Sequence, residues 1–320
     1  MTSYLVTGVA GFIGSSLARH LLERDHTVYG LDNLETGLES NLEDLTGNSN
    51  FEFINGDLRN EDDVRGAVAD ARYVLHQGAV PSVPRSVEDP VLSTEANCTG
   101  TANLISAAHE ADVEKIVVAS SSSVYGPTEV SPKREDLPAN PVSPYALTKY
   151  FTERLAVQAS EFYDLDSVAL RYFNVFGPHQ NPEGDYAAVI PKFINLMLEG
   201  EQPVIYGDGT QSRDFTYIDN VIQANLNAIE SDATGVALNA GCGDSFTINT
   251  LVDELNGILG TEIEPIYDDP RPGDVPHSKA DISKARDLID YEPAVSFREG
   301  LERTVEHFAD DQTILEHADD

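Results

Sequence analysis

A glycine-rich turn after the first apolar run constrains the fold of this chain more than any other feature. Gly8, Gly11 and Gly14 follow the run Ser3–Thr7 and open a segment with helical periodicity over residues 13–24. Glycines at this spacing let the backbone approach a pyrophosphate, and the first turn of the helix offers it free N–H groups. A tight strand-to-helix turn also needs glycine for steric reasons alone, so the turn by itself leaves both interpretations open.

An acidic residue at the end of the next predicted strand favours the first interpretation. Residues 27–31 form that strand and Asp32 follows it, about 20 residues beyond the turn. A carboxylate there accepts hydrogen bonds from both hydroxyls of an adenosine ribose and repels a 2′-phosphate. The strand, turn, helix and acid together predict a bound dinucleotide, and NAD over NADP.

The first half of the chain alternates short apolar runs with helix-like segments, a pattern typical of a parallel doubly wound sheet. The clearest helices cover residues 13–24 and 144–162. We therefore expect an α/β fold: a Rossmann-type doubly wound parallel sheet with a smaller mixed C-terminal substrate-binding part. The predicted strands are residues 3–7, 27–31, 51–54, 73–76, 115–119 and 167–171.

The alternation breaks up after Arg171, where Gly and Pro punctuate the chain at 177–178, 207–209 and 270–273. We assign residues 1–172 to an NAD-binding Rossmann domain. Residues 173–320 form mainly the substrate-binding part, although the chain can cross back to the sheet.

Short motifs follow the third and fourth predicted strands. They are Asp57-Leu58 and Gln77-Gly78-Ala79. The carboxyl ends of parallel strands form the rim at which open sheets bind ligands, so both motifs are candidates for cofactor contact. Each motif taken singly is also compatible with an ordinary loop.

The charge of the chain limits its partners. The sequence has 55 acidic and 20 basic residues, for a formal charge of −35. Nucleic acids and anionic membrane surfaces repel such a protein, so we expect neither as a partner. The chain opens without a signal-peptide pattern and has no apolar run of about 18 residues, which predicts a cytoplasmic protein outside membranes. Cys98 and Cys242 lie far apart, and we expect reduced thiols and no metal.

A tyrosine and a lysine are spaced to share one face of a helix. Tyr145 and Lys149 stand at i and i+4 within the helical segment 144–162. We expect the ammonium to lower the pKa of the phenol towards the range useful for a general base. A surface Tyr/Lys pair is the alternative. The serine run 120–123 after the fifth predicted strand favours a site, because a hydroxyl there can pass a proton to Tyr145.

With these motifs the chain resembles the extended short-chain dehydrogenase/reductases, and among them the UDP-sugar 4-epimerases. The resemblance runs nearly end to end. It rests on the Gly8 turn, Asp32-Asn33, Asp57-Leu58, His76 to Ala79, Asn97, Ser121, the Tyr145-Ala146-Leu147-Thr148-Lys149 segment and the run from Arg171 to Pro178.

The resemblance implies roles for individual residues. Ser121, Tyr145 and Lys149 are the implied catalytic residues, and Asn97 is expected to brace the active-site backbone and to contact the nicotinamide ribose. The implied NAD-binding residues are Gly8, Gly11, Phe12, Ile13, Gly14, Asp32, Asn33, Asp57, Leu58, Gln77, Gly78, Ala79, Asn97, Tyr145, Lys149 and Tyr172.

The resemblance also places a UDP-sugar beyond the cofactor. Arg213 and Arg271 would clamp the pyrophosphate, which suits bidentate guanidinium geometry. Ser278 occupies the position where some of these epimerases carry a bulky aromatic residue, and a serine leaves room for a 2-acetamido group. The implied substrate-binding residues are Ser82, Ser121, Ser122, Asn174, Ala188, Val189, Tyr206, Arg213, Arg271, Asp274 and Ser278.

The expected reaction is inversion at C4 by transient oxidation and non-stereospecific re-reduction. Family members that eliminate water or decarboxylate place an acid at the position of Ser122 or Ser123, where this chain has hydroxyls. UDP-GlcNAc and UDP-GalNAc are the favoured substrates, followed by UDP-Glc and UDP-Gal. The alternatives are a nucleotide-sugar dehydratase, decarboxylase or reductase, a UDP-glucuronate 4-epimerase, and a non-catalytic NAD-binding scaffold or sensor. The resemblance further implies a homodimer.

The acidic composition predicts that salt stabilises the protein. Self-repulsion of 55 acidic side chains is screened at high ionic strength, which fits a salt-rich cytoplasm. We expect the midpoint of thermal unfolding to rise between low and multimolar KCl. A midpoint that does not depend on salt would reject this hypothesis.

Overall fold

Seven parallel strands form the central sheet of the computed structural model, which describes residues 1–182, 188–270 and 275–318. The strands of the chain are β1 Ser3–Thr7, β2 Thr27–Asp32, β3 Phe51–Asn55, β4 Tyr73–His76, β5 Lys115–Ser121, β6 Asp166–Tyr172, β7 Val175–Phe176, β8 Val204–Tyr206, β9 Ser212–Arg213, β10 Thr216–Tyr217, β11 Val236–Ala240, β12 Phe246–Thr247, β13 Ile266–Asp268 and β14 His277–Ser278. The order in the central sheet is β11-β6-β5-β4-β1-β2-β3.

Helices cover both faces of this sheet. They are α1 Phe12–Leu22, α2 Glu61–Val68, α3 Val83–Glu88, α4 Pro90–Thr94, α5 Gly100–Glu110, α6 Pro144–Phe162, α7 Val189–Leu198, α8 Ile218–Glu230, α9 Ile248–Leu259, α10 Ser283–Ile289 and α11 Phe297–Ala318. A π-helical turn over Glu95–Thr99 connects α4 to α5, and a 3₁₀ turn over Ser122–Tyr125 follows β5.

The alternation of side chains along the strands explains the two layers. Val6 packs with Leu17 of α1 on one face, whereas the neighbouring Leu5 packs with Leu104 of α5 on the other. Strands buried on both faces read as continuous apolar runs, as β1 does. The predicted fold class is confirmed.

The element boundaries differ from the prediction where polar residues are buried. Strand β5 extends through Ser121, which pairs with Tyr172 of β6. The sequence prediction ended this strand at residue 119 because serines usually mark loops. Ser120 is buried and donates a hydrogen bond to Glu153, so it stays inside the sheet. Helix α1 ends at Leu22, and the left-handed backbone of Asp25 turns the chain soon after.

The chain after β6 contributes both to the sheet and to a smaller region. Strand β11 returns to the central sheet and pairs with β6 in parallel. The other strands form three small sheets: β10-β7, β12-β9-β14 and β13-β8. The buried Asp214 connects this region, since its carboxylate accepts hydrogen bonds from the backbone N–H groups of Cys242, Gly243 and Ala280. None of the helices over the described ranges is long and apolar enough to cross a membrane.

Candidate active site

The glycine turn packs against both helix α1 and the loop after β4 with almost no intervening space. A Cβ on Gly14 would lie 2.1 Å from the carbonyl oxygen of Gly8, and a Cβ on Gly8 would lie 2.7 Å from the Cα of Gly78. Gly8 also adopts a φ of +68°, which favours glycine. These two glycines are required by packing alone.

Gly11 has a different role in the turn. A Cβ there would meet only the Gly8 oxygen within 4 Å, at 3.2 Å, and would otherwise project into open space. Helix α1 begins after Gly11 without a side-chain cap, so the N–H groups of its first turn, at Phe12 and Ile13, face the same space. A surface without side chains at a helix N-terminus fits a pyrophosphate.

Asp32 lies beside this turn at the carboxyl end of β2. Its carboxylate accepts hydrogen bonds from the N–H groups of Ala10 and Leu34, each at 2.9 Å. Burial raises the pKa of Asp32, and these backbone hydrogen bonds oppose the rise. Each carboxylate oxygen has a further lone pair, so the pair can still accept two ribose hydroxyls.

A polar network lies where the neighbouring strand β3 ends, and the sequence prediction covered only some of its residues. Asn33 donates to a carboxylate oxygen of Asp57 at 2.9 Å. Arg59 donates to Asp57 through Nε at 2.9 Å and also bonds Glu35. The Arg59 guanidinium lowers the pKa of Asp57 to about 2. We did not predict Arg59 or Glu35, although an arginine two residues after a rim acid is a signal that the sequence contains. Leu58 packs beneath the rim, since its Cδ1 would contact a Cβ on Gly78.

A second hydrogen-bond network joins the loop after strand β4 to strand β6 and helix α8. The Tyr172 hydroxyl donates to Gln77 Oε1 at 3.1 Å, and Gln77 Nε2 donates to Asn225 Oδ1 at 3.3 Å. The Gly78 N–H donates to Thr7 Oγ1 at 3.1 Å. Asn225 was not predicted, because α8 lies far along the chain and carries no local motif. Ala79 follows directly in this loop.

Asn97 makes the bracing contacts that the resemblance implies. It is buried, and its Oδ1 accepts from the Val80 N–H at 2.7 Å. Its Nδ2 donates to Thr148 Oγ1 at 2.9 Å. Asn97 thereby links the loop after β4 to Thr148 near the start of helix α6.

Helix α6 presents Tyr145 and Lys149 to the rim at the end of β5. Ser143 caps the helix by accepting from the Ala146 N–H at 3.1 Å, and the buried Ser86 accepts from the Tyr145 N–H at 3.0 Å. The Ser121 hydroxyl lies close enough to the Tyr145 phenol to stabilise its ionised form. The structure therefore brings the three predicted catalytic residues together.

The expected lowering of the Tyr145 pKa is wrong for this structure. Burial raises the pKa of Tyr145, and the nearby Ser121 hydroxyl opposes the rise. The Lys149 ammonium donates to the carbonyl oxygen of Ala119 at 3.0 Å, and burial lowers the pKa of Lys149 to about 8. The sequence could not show these effects, because the i, i+4 spacing gives no information on burial or on the carbonyl that attracts the ammonium.

A buried ion pair fixes α6 to the sheet below the catalytic residues. Arg171 of β6 donates to both carboxylate oxygens of Glu153, at 2.7 and 2.8 Å. Ser120 of β5 donates to Glu153 at 2.7 Å. The Arg171 guanidinium also stacks 4.6 Å above the ring of Tyr125. Breaking a buried pair of this kind leaves an uncompensated charge, so its geometry is strongly held.

A cavity of about 270 Å³ opens beside the rim, in the smaller region. Aromatic and aliphatic side chains complete its lining, among them Phe193, Phe215 and Ile248. Five of the predicted substrate residues line it together: Asn174, Ala188, Val189, Tyr206 and Arg213.

The remaining predicted substrate residues have different positions. Ser278 is buried and pairs in register with Arg213 across β14 and β9. Ser122 begins the 3₁₀ turn after Ser121. Ser82 caps α3 by accepting from the Arg85 N–H at 3.2 Å, and it is not among the residues that line the cavity. Arg271 and Asp274 lie outside the described residues. Within the described ranges, no group of three or more His, Cys, Asp or Glu side chains is arranged to hold a metal ion.

Comparison with known proteins places this geometry in a family. The family model described as NAD dependent epimerase/dehydratase matches residues 4–241. The chain belongs to this family. A curated relative, the putative UDP-glucose 4-epimerase of Methanocaldococcus jannaschii, is 40% identical over 303 residues, which cover 94% of this chain and 96% of that one.

Solved structures of the family have the same fold over the whole chain. A UDP-N-acetylglucosamine 4-epimerase from Methanobrevibacter ruminantium in complex with UDP-N-acetylmuramic acid is 41% identical, with a TM-score of 0.93 over 97% of this chain and 99% of that one. A UDP-glucuronic acid 4-epimerase from Bacillus cereus in complex with UDP-glucuronic acid and NAD is 34% identical, with a TM-score of 0.88 over the same shares. The resemblance and the NAD cofactor that the sequence predicted are thus confirmed.

The position of Asp32 predicts how the cofactor is selected. Replacing Asp32 with Ser removes the acceptor for the ribose hydroxyls and the charge that repels a 2′-phosphate. We expect NAD binding to weaken by about tenfold or more, and the preference for NAD over NADP to shrink by a similar factor. Fluorescence titration with both dinucleotides measures the two constants. The exposed Asp70→Asn is the control, and an unchanged NAD/NADP ratio in Asp32→Ser would contradict the assignment.

Proposed function

We propose that this protein is an NAD-dependent 4-epimerase of a UDP-sugar. The observation that carries the proposal is the Ser121 hydroxyl close to the Tyr145 phenol, with Lys149 one helical turn away, at the same carboxyl edge of the sheet as the Gly11 turn. We assign residues 1–172 mainly to NAD binding and residues 173–320 mainly to the substrate, with β11 returning to the sheet.

The proposed reaction needs one proton acceptor and one reversible hydride acceptor. Tyr145, directly or through Ser121, takes the proton from O4 of the sugar and later returns it. Bound NAD supplies the hydride acceptance and return at C4. Lys149 lies one helical turn from Tyr145, and the proposed reaction requires its ammonium to turn from the Ala119 carbonyl towards the phenol, where it would favour the ionised form. The 4-keto sugar turns over between the two half-reactions and is reduced on its other face.

The side chains after Ser121 favour epimerisation over elimination. Ser122 and Ser123 offer hydroxyls where a dehydratase or decarboxylase would need an acid. The buried Glu153 beside Ser120 is already engaged, since Arg171 and Ser120 occupy both of its oxygens. A dehydratase, decarboxylase or reductase is therefore the less favoured alternative.

The choice of sugar rests on the Ser278 position. Ser278 is buried beside Arg213, and a serine is smaller than the aromatic residue that the resemblance places at this position in some epimerases. This supports UDP-GlcNAc and UDP-GalNAc as substrates, with UDP-Glc and UDP-Gal second. UDP-glucuronate is the third candidate, since an epimerase of that substrate has the same fold. A non-catalytic NAD-binding scaffold or sensor would have no need of Ser121, Tyr145 and Lys149 together.

A homodimer is part of the proposal. Helix α6 exposes three large apolar side chains along its length, Leu147 at 58%, Phe151 at 44% and Phe162 at 66%. Contiguous exposed apolar side chains on one helix mark a contact surface. Pairing of α6 and the helix over residues 97–109 with their copies would cover them, and sedimentation that shows a stable monomer would reject this.

Incubation with separate UDP-sugars tests the proposed function. We expect the purified protein in high-salt buffer to convert UDP-GlcNAc to its C4 epimer without added NAD, as followed by proton NMR. Tyr145→Phe should lower the rate by about 100-fold or more while the protein still binds NAD. Tyr150→Phe is the matched control, because it changes a neighbouring tyrosine of α6 that the mechanism does not use. The proposal would be overturned if the folded protein binds NAD but epimerises none of the three sugars UDP-GlcNAc, UDP-Glc and UDP-GlcA.

A further inference from the structure

One buried lysine outside the catalytic set has no hydrogen-bond acceptor for its ammonium among the described residues. Lys115, Lys133 and Lys149 are all less than 7% exposed. Lys115 donates to the carbonyl oxygen of Ser231 at 2.6 Å, and Lys149 donates to that of Ala119. Lys133, which is 3% exposed, makes no side-chain hydrogen bond and no ion pair in the part of the chain that the structure describes.

The backbone pairing of Lys133 shows which residues of the smaller region share a face with its side chain. Its N–H donates to the Lys279 carbonyl at 2.7 Å, its carbonyl accepts from Asp281 at 2.9 Å, and it forms a parallel bridge with Ala280. Residues paired across a bridge point to the same face, and so do residues two apart in an extended segment. Lys133 therefore shares a face with Ser278, two residues before Ala280.

This face also carries a residue that lines the cavity. Ser278 pairs in register with Arg213, and Arg213 is one of the residues that line the cavity. Arg213 is also close enough to Lys133 for the repulsion between the two cations to be felt. Lys133 does not line the cavity itself, but the register places it on the same face of these segments as Arg213, which does.

The charge of Lys133 is only partly stabilised by its neighbours. Its Nζ lies 5.7 Å from the centre of the Tyr125 ring, which already carries the Arg171 guanidinium at 4.6 Å. Burial, with a smaller contribution from Arg213, lowers the pKa of Lys133 to about 8, so the amine is mainly protonated at neutral pH. An aromatic face cannot accept three N–H donors, and Nζ is not among the fully buried side-chain atoms that lack a partner, so it keeps some accessible surface. The chain has 55 acidic residues, yet none of those in the described ranges forms an ion pair with this ammonium.

We propose that Lys133 is a specificity-determining residue that donates a hydrogen bond to a carbonyl or carboxylate oxygen carried by the sugar of the bound UDP-sugar. The inference rests on the proposed function for the nature of the ligand. A 2-acetamido carbonyl and a C6 carboxylate both supply a strong acceptor, whereas an unsubstituted hexose supplies hydroxyls alone. Lys133 therefore selects substituted sugars over UDP-Glc.

Binding measured without turnover tests this role. In a Tyr145→Phe background, isothermal titration gives the Kd of UDP-GlcNAc, UDP-GlcA and UDP-Glc with and without Lys133→Met. We expect Kd for UDP-GlcNAc or for UDP-GlcA to rise about 10- to 100-fold, and Kd for UDP-Glc to change by less than about threefold. The sugar that is affected identifies the source of the acceptor oxygen. Lys115→Met is the control for loss of a buried lysine, because Lys115 begins β5 and Ser121 of the proposed site ends it. This variant should leave the ratios of the three constants unchanged.

Equal losses for all three sugars, or no loss for any, would overturn the inference and leave Lys133 with a structural role. If Lys133→Met does not fold, Lys133→Gln keeps a neutral donor and is expected to show the same selectivity with a smaller change. Turnover by the unsubstituted protein is measured separately. Absence of any epimer there rejects the proposed function, while the Kd ratios still decide the role of Lys133.

Discussion

The contact between Gly14 and Gly8 is the constraint on which the rest of the structure depends. A single added Cβ would lie 2.1 Å from a carbonyl oxygen, so α1 could not reach its place against the turn that follows β1. With α1 in place, its uncapped N-terminus, Asp32 and the rim loops of β3 and β4 surround one space. The sheet has helices on both faces, and its carboxyl edge is the part left open to a ligand.

A second constraint positions the chemistry on that edge. Glu153, Arg171 and Ser120 join α6 to β6 and β5 through hydrogen bonds of 2.7 to 2.8 Å in a buried setting. Asn97 joins the same helix to the loop after β4. These contacts explain how a tyrosine and a lysine on one helix stay aligned with a serine on a strand. They also explain why Glu153 is not available as an acid for another reaction.

Local patterns predicted the first half of the fold well, because parallel βα units carry their signals within short segments. The apolar runs of β1 and β4 were predicted to the residue, and the helix that carries Tyr145 had the predicted bounds. Contacts between distant segments were not predictable in this way. Asn225 reaches Gln77 from α8, and Asp214 connects three loops. The same limit applied to the Tyr145 pKa, which depends on burial that no spacing reveals.

The central claim is that C4 of the sugar is oxidised and then reduced again by the same hydride. UDP-GlcNAc that carries deuterium at C4 tests it directly, with the product analysed by NMR and mass spectrometry in ordinary water. The mechanism predicts that the C4 epimer retains the deuterium at C4, because the hydride is returned from the cofactor and does not exchange with solvent. An epimer with solvent hydrogen at C4 would contradict the account, since it would mean that C4 is inverted by proton removal.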